Sequence, residues 1–246
     1  MIIGGFFAYS QQVETYVYKL LYDMYLDFGN EQLFEAELLF NKEQARFNYQ
    51  EKEIQEESLK EDENDDGFNF HISIKDSTKY FIISNLSKNR VVQLEKSLDR
   101  KDNNVLVHDD LQQIEWFITD STKMIGAYQC NQAHGHFGGR DYTVWFAPQV
   151  PVYFGPHKLH GLPGVVLEAY DDMYEVGFIC TNIETGKYLY DHFDKEQYGE
   201  TISRAEYIED LKKGMDDRIK RISSRMGRDI KIQSQSFVIQ SIERYD

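Results

Sequence analysis

All four prolines of this chain fall between Pro148 and Pro163, and the remainder has none. Proline cannot donate to a β-ladder and it breaks helices, so the chain on either side is free to form long, uninterrupted elements. The segment between reads Ala147-Pro148-Gln149-Val150-Pro151-Val152-Tyr153-Phe154-Gly155-Pro156-His157-Lys158-Leu159-His160-Gly161-Leu162-Pro163-Gly164. Proline fixes φ and glycine permits unusual φ, so this stretch reads as a rigid, non-repetitive crossover. Leu162-Pro163-Gly164-Val165 has the pattern of a type II turn, after which Val165-Val166-Leu167 enters a strand.

Outside the crossover the patterning is mostly that of strands. Residues 13–26 alternate in polarity, with Val13, Thr15 and Val17 on one side and Tyr16, Tyr18, Leu20 and Tyr22 on the other. Residues 32–40 and 43–49 flank Asn41-Lys42 and read as a hairpin, with a helix over 31–40 as the competing reading. Further strands are expected at Phe70–Ile74, Tyr80–Ser84, Val91–Glu95 and Ile114–Thr119. A long element, Lys123–Phe137, pairs with Asp141–Phe146 around His136-Phe137-Gly138-Gly139-Arg140, where Gly-Gly supplies the positive φ of a tight turn. A second pair, Val165–Tyr170 and Tyr174–Asn182, meets at Asp171-Asp172-Met173. One helix is well signalled. Ser203 and Glu206 form a capping box, Ile208, Leu211, Met215, Ile219, Ile222 and Met226 recur at helical spacing, and Gly227 ends the run. Residues 230–240 read as a last strand. The fold class expected is mainly β (α+β): a curved antiparallel sheet or open barrel with one C-terminal amphipathic helix packed on it.

At 246 residues the chain suits one large domain. Its 27 basic and 42 acidic residues leave a formal charge of −15, which argues against nucleic acid and against an anionic membrane surface as partners. Nine of the acidic residues crowd into 51–66, a run that repels itself and reads as a solvated acidic loop. Asp62, Asn64, Asp66 and Gly67 echo a calcium loop, but its twelfth position is Ser73, so calcium is not expected there. The start, Met1-Ile2-Ile3-Gly4-Gly5-Phe6-Phe7, is apolar, and Ala8 and Ser10 suit signal cleavage after Ser10. Residues 1–10 are therefore read as the remnant of a secretory signal peptide and 11–246 as the single domain. No other stretch has the length of a membrane span. In an oxidising compartment Cys130 and Cys180, both in strand candidates, would form a disulfide; two buried free thiols are the alternative.

The crossover and its flanks resemble the GLPGLI family, secreted proteins of a bacterial group with two membranes. The namesake motif stands as Gly161-Leu162-Pro163-Gly164-Val165-Val166. Gly126-Ala127-Tyr128-Gln129-Cys130 resembles the family's glycine-aromatic-x-cysteine strand. Gly139-Arg140-Asp141-Tyr142-Thr143-Val144-Trp145-Phe146 resembles its GR-x-Y-x-x-W strand, and Pro151 with Gly155-Pro156-His157-Lys158 its "IP…GPxK" stretch. The likeness is dense over roughly residues 113–183, while His157, His160, the acidic block and the C-terminal tail depart from it. It implies a periplasmic or outer-membrane-associated location and no particular reaction. Gly161, Pro163 and Gly164 set a backbone path and cannot act as acid, base or nucleophile.

Chemistry-bearing residues are few. His134 and His136, two apart on a strand, and His157 and His160 on the crossover are candidate ligands for a divalent transition metal. No nucleophile elbow, zincin or phosphate-loop motif is present, and no other cofactor is evident. Tyr128, Tyr142, Trp145, Phe146, Tyr153 and Phe154 cluster around the motif and could line a concave apolar face. The expected function is non-enzymatic: binding or carriage of an apolar small molecule, a peptide or an outer-membrane protein. The alternatives are metal binding by the histidines and a hydrolase without a recognisable motif.

Overall fold

The computed structural model describes residues 13–29, 31–52, 78–97, 104–191, 201–225 and 242–244. The expected signal remnant at 1–10, most of the acidic block and the strands expected at Phe70–Ile74 and 230–240 lie outside these residues. Twelve strands form one sheet: β1 Val13–Asp27, β2 Glu31–Phe40, β3 Gln44–Glu51, β4 Tyr80–Asn85, β5 Arg90–Lys96, β6 Asn104–Asp110, β7 Trp116–Ile125, β8 Tyr128–Phe137, β9 Arg140–Ala147, β10 Val165–Asp171, β11 Val176–Asp191 and β12 Thr201–Ser203. One helix, α1 Arg204–Arg225, follows. The spatial order is β12-β6-β5-β4-β3-β2-β1-β11-β10-β9-β8-β7.

Two antiparallel meanders are thus joined side by side. The first runs β1 to β6 and the second β7 to β11. They meet where β1 pairs with β11, from Val13↔Asp191 to Leu26↔Val176, with two register shifts. Among the described residues β12 adds the one parallel pairing, on β6. The link from Asp110 to Trp116 must connect β6 to β7 at the opposite edge, yet that length of chain reaches at most roughly 20 Å. Laid flat, the strands between would span roughly 48 Å. The sheet therefore curls until its two ends approach.

The curl encloses one apolar face. Tyr22, Met24, Phe34, Leu38, Phe47, Val144, Phe146 and Phe178 point inward and are buried. Their neighbours Asp23, Glu35, Glu37 and Asn48 point outward and bond across strands, as in Asn48 Nδ2 to Glu37 Oε1 at 2.8 Å. This alternation is what one buried face demands of a strand. Burying one such aromatic or aliphatic side chain contributes roughly 1.5–3 kcal/mol. The proline-rich crossover fills the interior of the curl. Phe154 to His160 is an unbroken buried run, with Phe154 against Phe40 at 6.5 Å between ring centroids. The Tyr22 hydroxyl donates to the Val166 carbonyl at 2.6 Å, tying β1 to β10 across the interior.

The hairpin expected over 32–49 forms as β2 and β3, and the competing helix over 31–40 does not, because every second residue from Phe34 to Phe40 is buried. Other expectations are corrected. Lys123–Phe137 is not one element: Gly126 at φ +55 turns the chain between β7 and β8. β6 lay unrecognised between charged segments. Gly164 has no positive φ, so the type II turn is not formed; the positive φ belongs to Gly161, at +97. Glycine is needed at 164 for closeness instead, since a Cβ there would lie 2.5 Å from the Ala147 oxygen. The capping box forms as expected, Ser203 N to Glu206 Oε2 at 2.8 Å and Glu206 N to Ser203 Oγ at 3.2 Å. At its start α1 places Tyr207 and Leu211 in a cluster with Val105, Val107 and Ile202.

Cys130 and Cys180 are both free thiols, not a disulfide. They sit on β8 and β11, with β9 and β10 between them. Three strand spacings of roughly 4.8 Å exceed the roughly 7 Å limit on Cα separation that a disulfide tolerates. Burial pushes the Cys130 thiol up to about 11 and the Cys180 thiol up to about 12. Both should resist alkylation at pH 8 in the native protein and react fully in denaturant, with unchanged mobility on reduction; rapid native labelling at either site would contradict this. Tyr22→Phe should lower unfolding free energy by about 1–3 kcal/mol in urea titration, since it removes a buried bond and leaves an acceptor behind.

Candidate functional site

The residues of the crossover and its flanks converge on a short C-terminal segment, Ile242-Glu243-Arg244. The β8–β9 turn is built from Gly138 and Gly139, at φ +58 and +72. Side chains at these positions would also collide with the tail: a Cβ would lie 2.8 Å from Glu243 Cγ and 2.9 Å from Arg244 Cβ respectively. Gly138 O accepts from Arg244 N at 2.8 Å.

Next in sequence, Arg140 begins β9 and is 3% exposed. Its Nε donates to the Ile242 carbonyl at 2.9 Å. One terminal nitrogen donates to Asp171 Oδ2 at 2.7 Å and to Glu175 Oε2 at 2.6 Å. The guanidinium also lies 5.3 Å from the Phe28 ring centroid. Asp171, buried at the end of β10, uses its other oxygen to accept from Val176 N at 2.9 Å, which fixes the β10–β11 turn. Hydrogen bonds from Arg140, then from Arg244, hold the Glu175 carboxyl below its ordinary range. A buried charge with this many partners is costly to strip: removing one side of such a pair costs about 3–5 kcal/mol.

Lys158, on the crossover, is buried and pairs with the Glu243 carboxylate. His157 Nε2 and Arg204 of α1 each stand 3.9 Å from that carboxylate. Arg204 also reaches Glu95 at 3.3 Å and Asp109 at 3.5 Å. Burial alone would raise the Glu243 carboxyl, but the Lys158 charge and its neighbours outweigh it and pull the group down to about 2. Burial lowers the Lys158 ammonium, with Glu243 opposing. Burial also drives His157 down to about 3, so its ring, stacked 6.5 Å from Phe178, is neutral at physiological pH.

The four histidines do not converge. His134 and His136 are exposed on β8 and bond to their partners on β9, Thr143 at 3.0 Å and Asp141 at 2.7 Å. His157 and His160 are buried in the crossover, where His160 Nδ1 meets the Lys158 carbonyl at 2.8 Å. Among the described residues no group of three or more His, Cys, Asp or Glu side chains is placed to hold a metal. The four candidate ligands therefore stand as two separate pairs, one exposed on β8 and one buried in the crossover.

The other motif residues have structural places. Leu162 is buried; Pro151, Gly161 and Pro163 are exposed; Gly155 and Pro156 are enclosed. A Cβ on Gly155 would lie 2.9 Å from the Leu159 oxygen. Trp145 carries Lys123 Nζ 4.4 Å above its ring, while Lys123 pairs with Glu168 at 2.7 Å. Of the aromatic cluster, Tyr142, Trp145, Phe146 and Phe154 are buried, Tyr128 is half-buried, and Tyr153 is exposed. The four buried rings are core. Asp171, Glu175, Arg204 and the 242–244 segment were missed in the sequence. Asp171-Asp172 reads as a turn pair, and nothing in spacing links a C-terminal Glu to a lysine on a distant crossover.

With this geometry in view, a family model described as "Protein of unknown function (Porph_ging)" matches residues 139–168, from the β8–β9 turn through the crossover into β10. Comparison with curated proteins yields no match. Among solved structures the chain is similar to two of PNGF-II, in P21 and C2 space groups. Identity is 16% in each, with TM-scores of 0.49 and 0.47. The matches cover 81% of this chain but 34% and 33% of those chains, so it spans about a third of their length.

Acid should loosen this site in a defined order. Between the ordinary imidazole value of 6.5 and about 3, the unfolded chain takes up a proton at His157 that the folded chain refuses. His160, also lowered by burial, acts in the same direction. Below pH 4.5 Glu243 adds to the loss, down to about 2. Stability therefore falls as pH drops. His157→Asn, which tolerates the φ of +55 there, should flatten the slope of Tm between pH 6 and 4.5; an unchanged slope would exclude His157 as a source.

Proposed function

We propose that this is a non-enzymatic binding protein of the bacterial envelope that takes up an extended polypeptide segment by strand addition at β7. The observation that carries the reading is the free edge of that strand. Among the described residues β7 pairs only with β8 and stands last in the sheet. Phe117, Ile118 and Met124 on it are 71%, 46% and 63% exposed. An unpaired edge is a template for another strand, with backbone bonds supplying affinity and alternate side chains specificity. The register shift between Ile118 and Thr122, with Asp120 exposed nearby, interrupts the edge and limits promiscuous pairing.

One feature favours a polypeptide over an apolar small molecule: the interior of the curl is filled by the protein's own crossover. The groove of about 610 Å³ along β1–β4 has mixed walls, with Asp23, Glu35 and Arg46 beside Leu21, Tyr49 and Phe81. The charged groups around Arg140 and Lys158 are engaged with one another, which suits holding over chemistry. The GLPGLI-type motif and the signal-like start support export, and the partner is then an envelope or outer-membrane polypeptide.

A ten-residue peptide of alternating valine and threonine serves as probe. Its addition should slow hydrogen exchange at β7 amides, and Phe117→Asp with Met124→Asp should weaken binding at least tenfold without changing Tm. Protection confined to other strands, or none at millimolar peptide, would overturn strand addition.

A further inference from the structure

We infer that the Gly138–Arg140 turn, together with Lys158, His157, Arg204 and Glu175, is a peptide-recognition site for an apolar–acidic–basic sequence. Its resident occupant is the chain's own Ile242-Glu243-Arg244. Each of the three residues is read by a different device. Ile242 is 9% exposed in the main core, and its carbonyl accepts from Arg140 Nε at 2.9 Å. Glu243 enters a socket of cationic and imidazole groups, paired with Lys158 and 3.9 Å from both His157 and Arg204. Arg244 donates its N–H to Gly138 O at 2.8 Å and its guanidinium to Glu175 at 2.8 Å. Backbone contacts at both ends with one charge-specific pocket between is how peptide-binding clefts combine affinity with selectivity.

The seat is made without the tail's help. Arg140 is held by Asp171 and Glu175, and Arg204 by Glu95 and Asp109, all outside the 242–244 segment. Gly138 and Gly139 leave space that any side chain would fill. Lys158 and His157 would face an empty socket, and their burial then favours any carboxylate that arrives on a peptide. Residues 226–241 lie between α1 and the seated segment, so the occupant is a tethered ligand at high effective concentration. A partner bearing the same pattern competes for the site. This inference does not depend on strand addition at β7.

The test uses the full chain with Glu243→Lys, which places a cation against Lys158 and expels the tail. A fluorescent peptide of residues 238–246 should bind this variant and not the intact wild type. The same peptide with its own Glu243→Lys change should bind at least tenfold more weakly. In a second arm, a protease site placed between residues 230 and 240 is cut in the otherwise wild-type protein. Native mass spectrometry should find the C-terminal fragment retained and then exchanged for labelled peptide. The proposal is overturned if the folded variant ignores the peptide, if both peptides bind equally, or if the cut fragment departs at once or never exchanges.

Discussion

The pairing of β1 with β11 is the constraint on which the rest of the molecule depends. Each meander alone would present an exposed apolar face and two open edges. Joined along the Val13↔Asp191 to Leu26↔Val176 ladder, they make a sheet wide enough to curl around a filled interior. The short Asp110–Trp116 link then forces its ends toward each other. What fills the interior is not the two faces of a sandwich but the crossover between β9 and β10. Its prolines and glycines suit a path that no repetitive element could follow.

The buried charges follow from that choice. A crossover running through an interior carries backbone and side-chain polar groups that must be satisfied there. Arg140 and Lys158 meet this requirement by drawing carboxylates inward: Asp171 and Glu175 for one, Glu243 for the other. The resulting pairs are poor sources of net stability against an apolar replacement but specify geometry well, since a displaced partner leaves a charge uncompensated. These pairs join the β10–β11 turn, the β8–β9 turn and the 242–244 segment in one arrangement.

Local features were legible in the sequence where one face of a strand is buried. Residues 13–26 alternate because water lies on one side of that strand, while 80–84 and 91–95 were legible as short apolar, β-branched runs bounded by polar turns; all three spans emerge within a few residues. The Ser203–Glu206 cap was legible because both partners lie within one helical turn. The β7–β8 break was not, because Gly126 sits in an otherwise unbroken alternation. The four histidines were not legible as two places, because sequence proximity says nothing of face: His134 is exposed on β8 and His157 is buried in the crossover. The tail site was invisible, because its partners, such as Lys158 and Glu243, are distant in sequence and joined only by the curl. The role of Gly164 was half legible: glycine was recognised as necessary, but close approach to Ala147 was taken for a turn.

The seam between the meanders also sets the order of events while the chain is being made. β1 is complete at Asp27, but its partner strand ends only at Asp191. At ordinary synthesis rates of roughly 5–20 residues per second, the outer edge of β1 waits roughly ten to thirty seconds for β11. Throughout that interval a fifteen-residue, tyrosine-rich edge is open to the wrong strand, including the same edge on a neighbouring nascent chain. Correct closure is therefore a race between the second meander and aggregation, and the load on chaperones is set by how far apart the two strands lie along the chain.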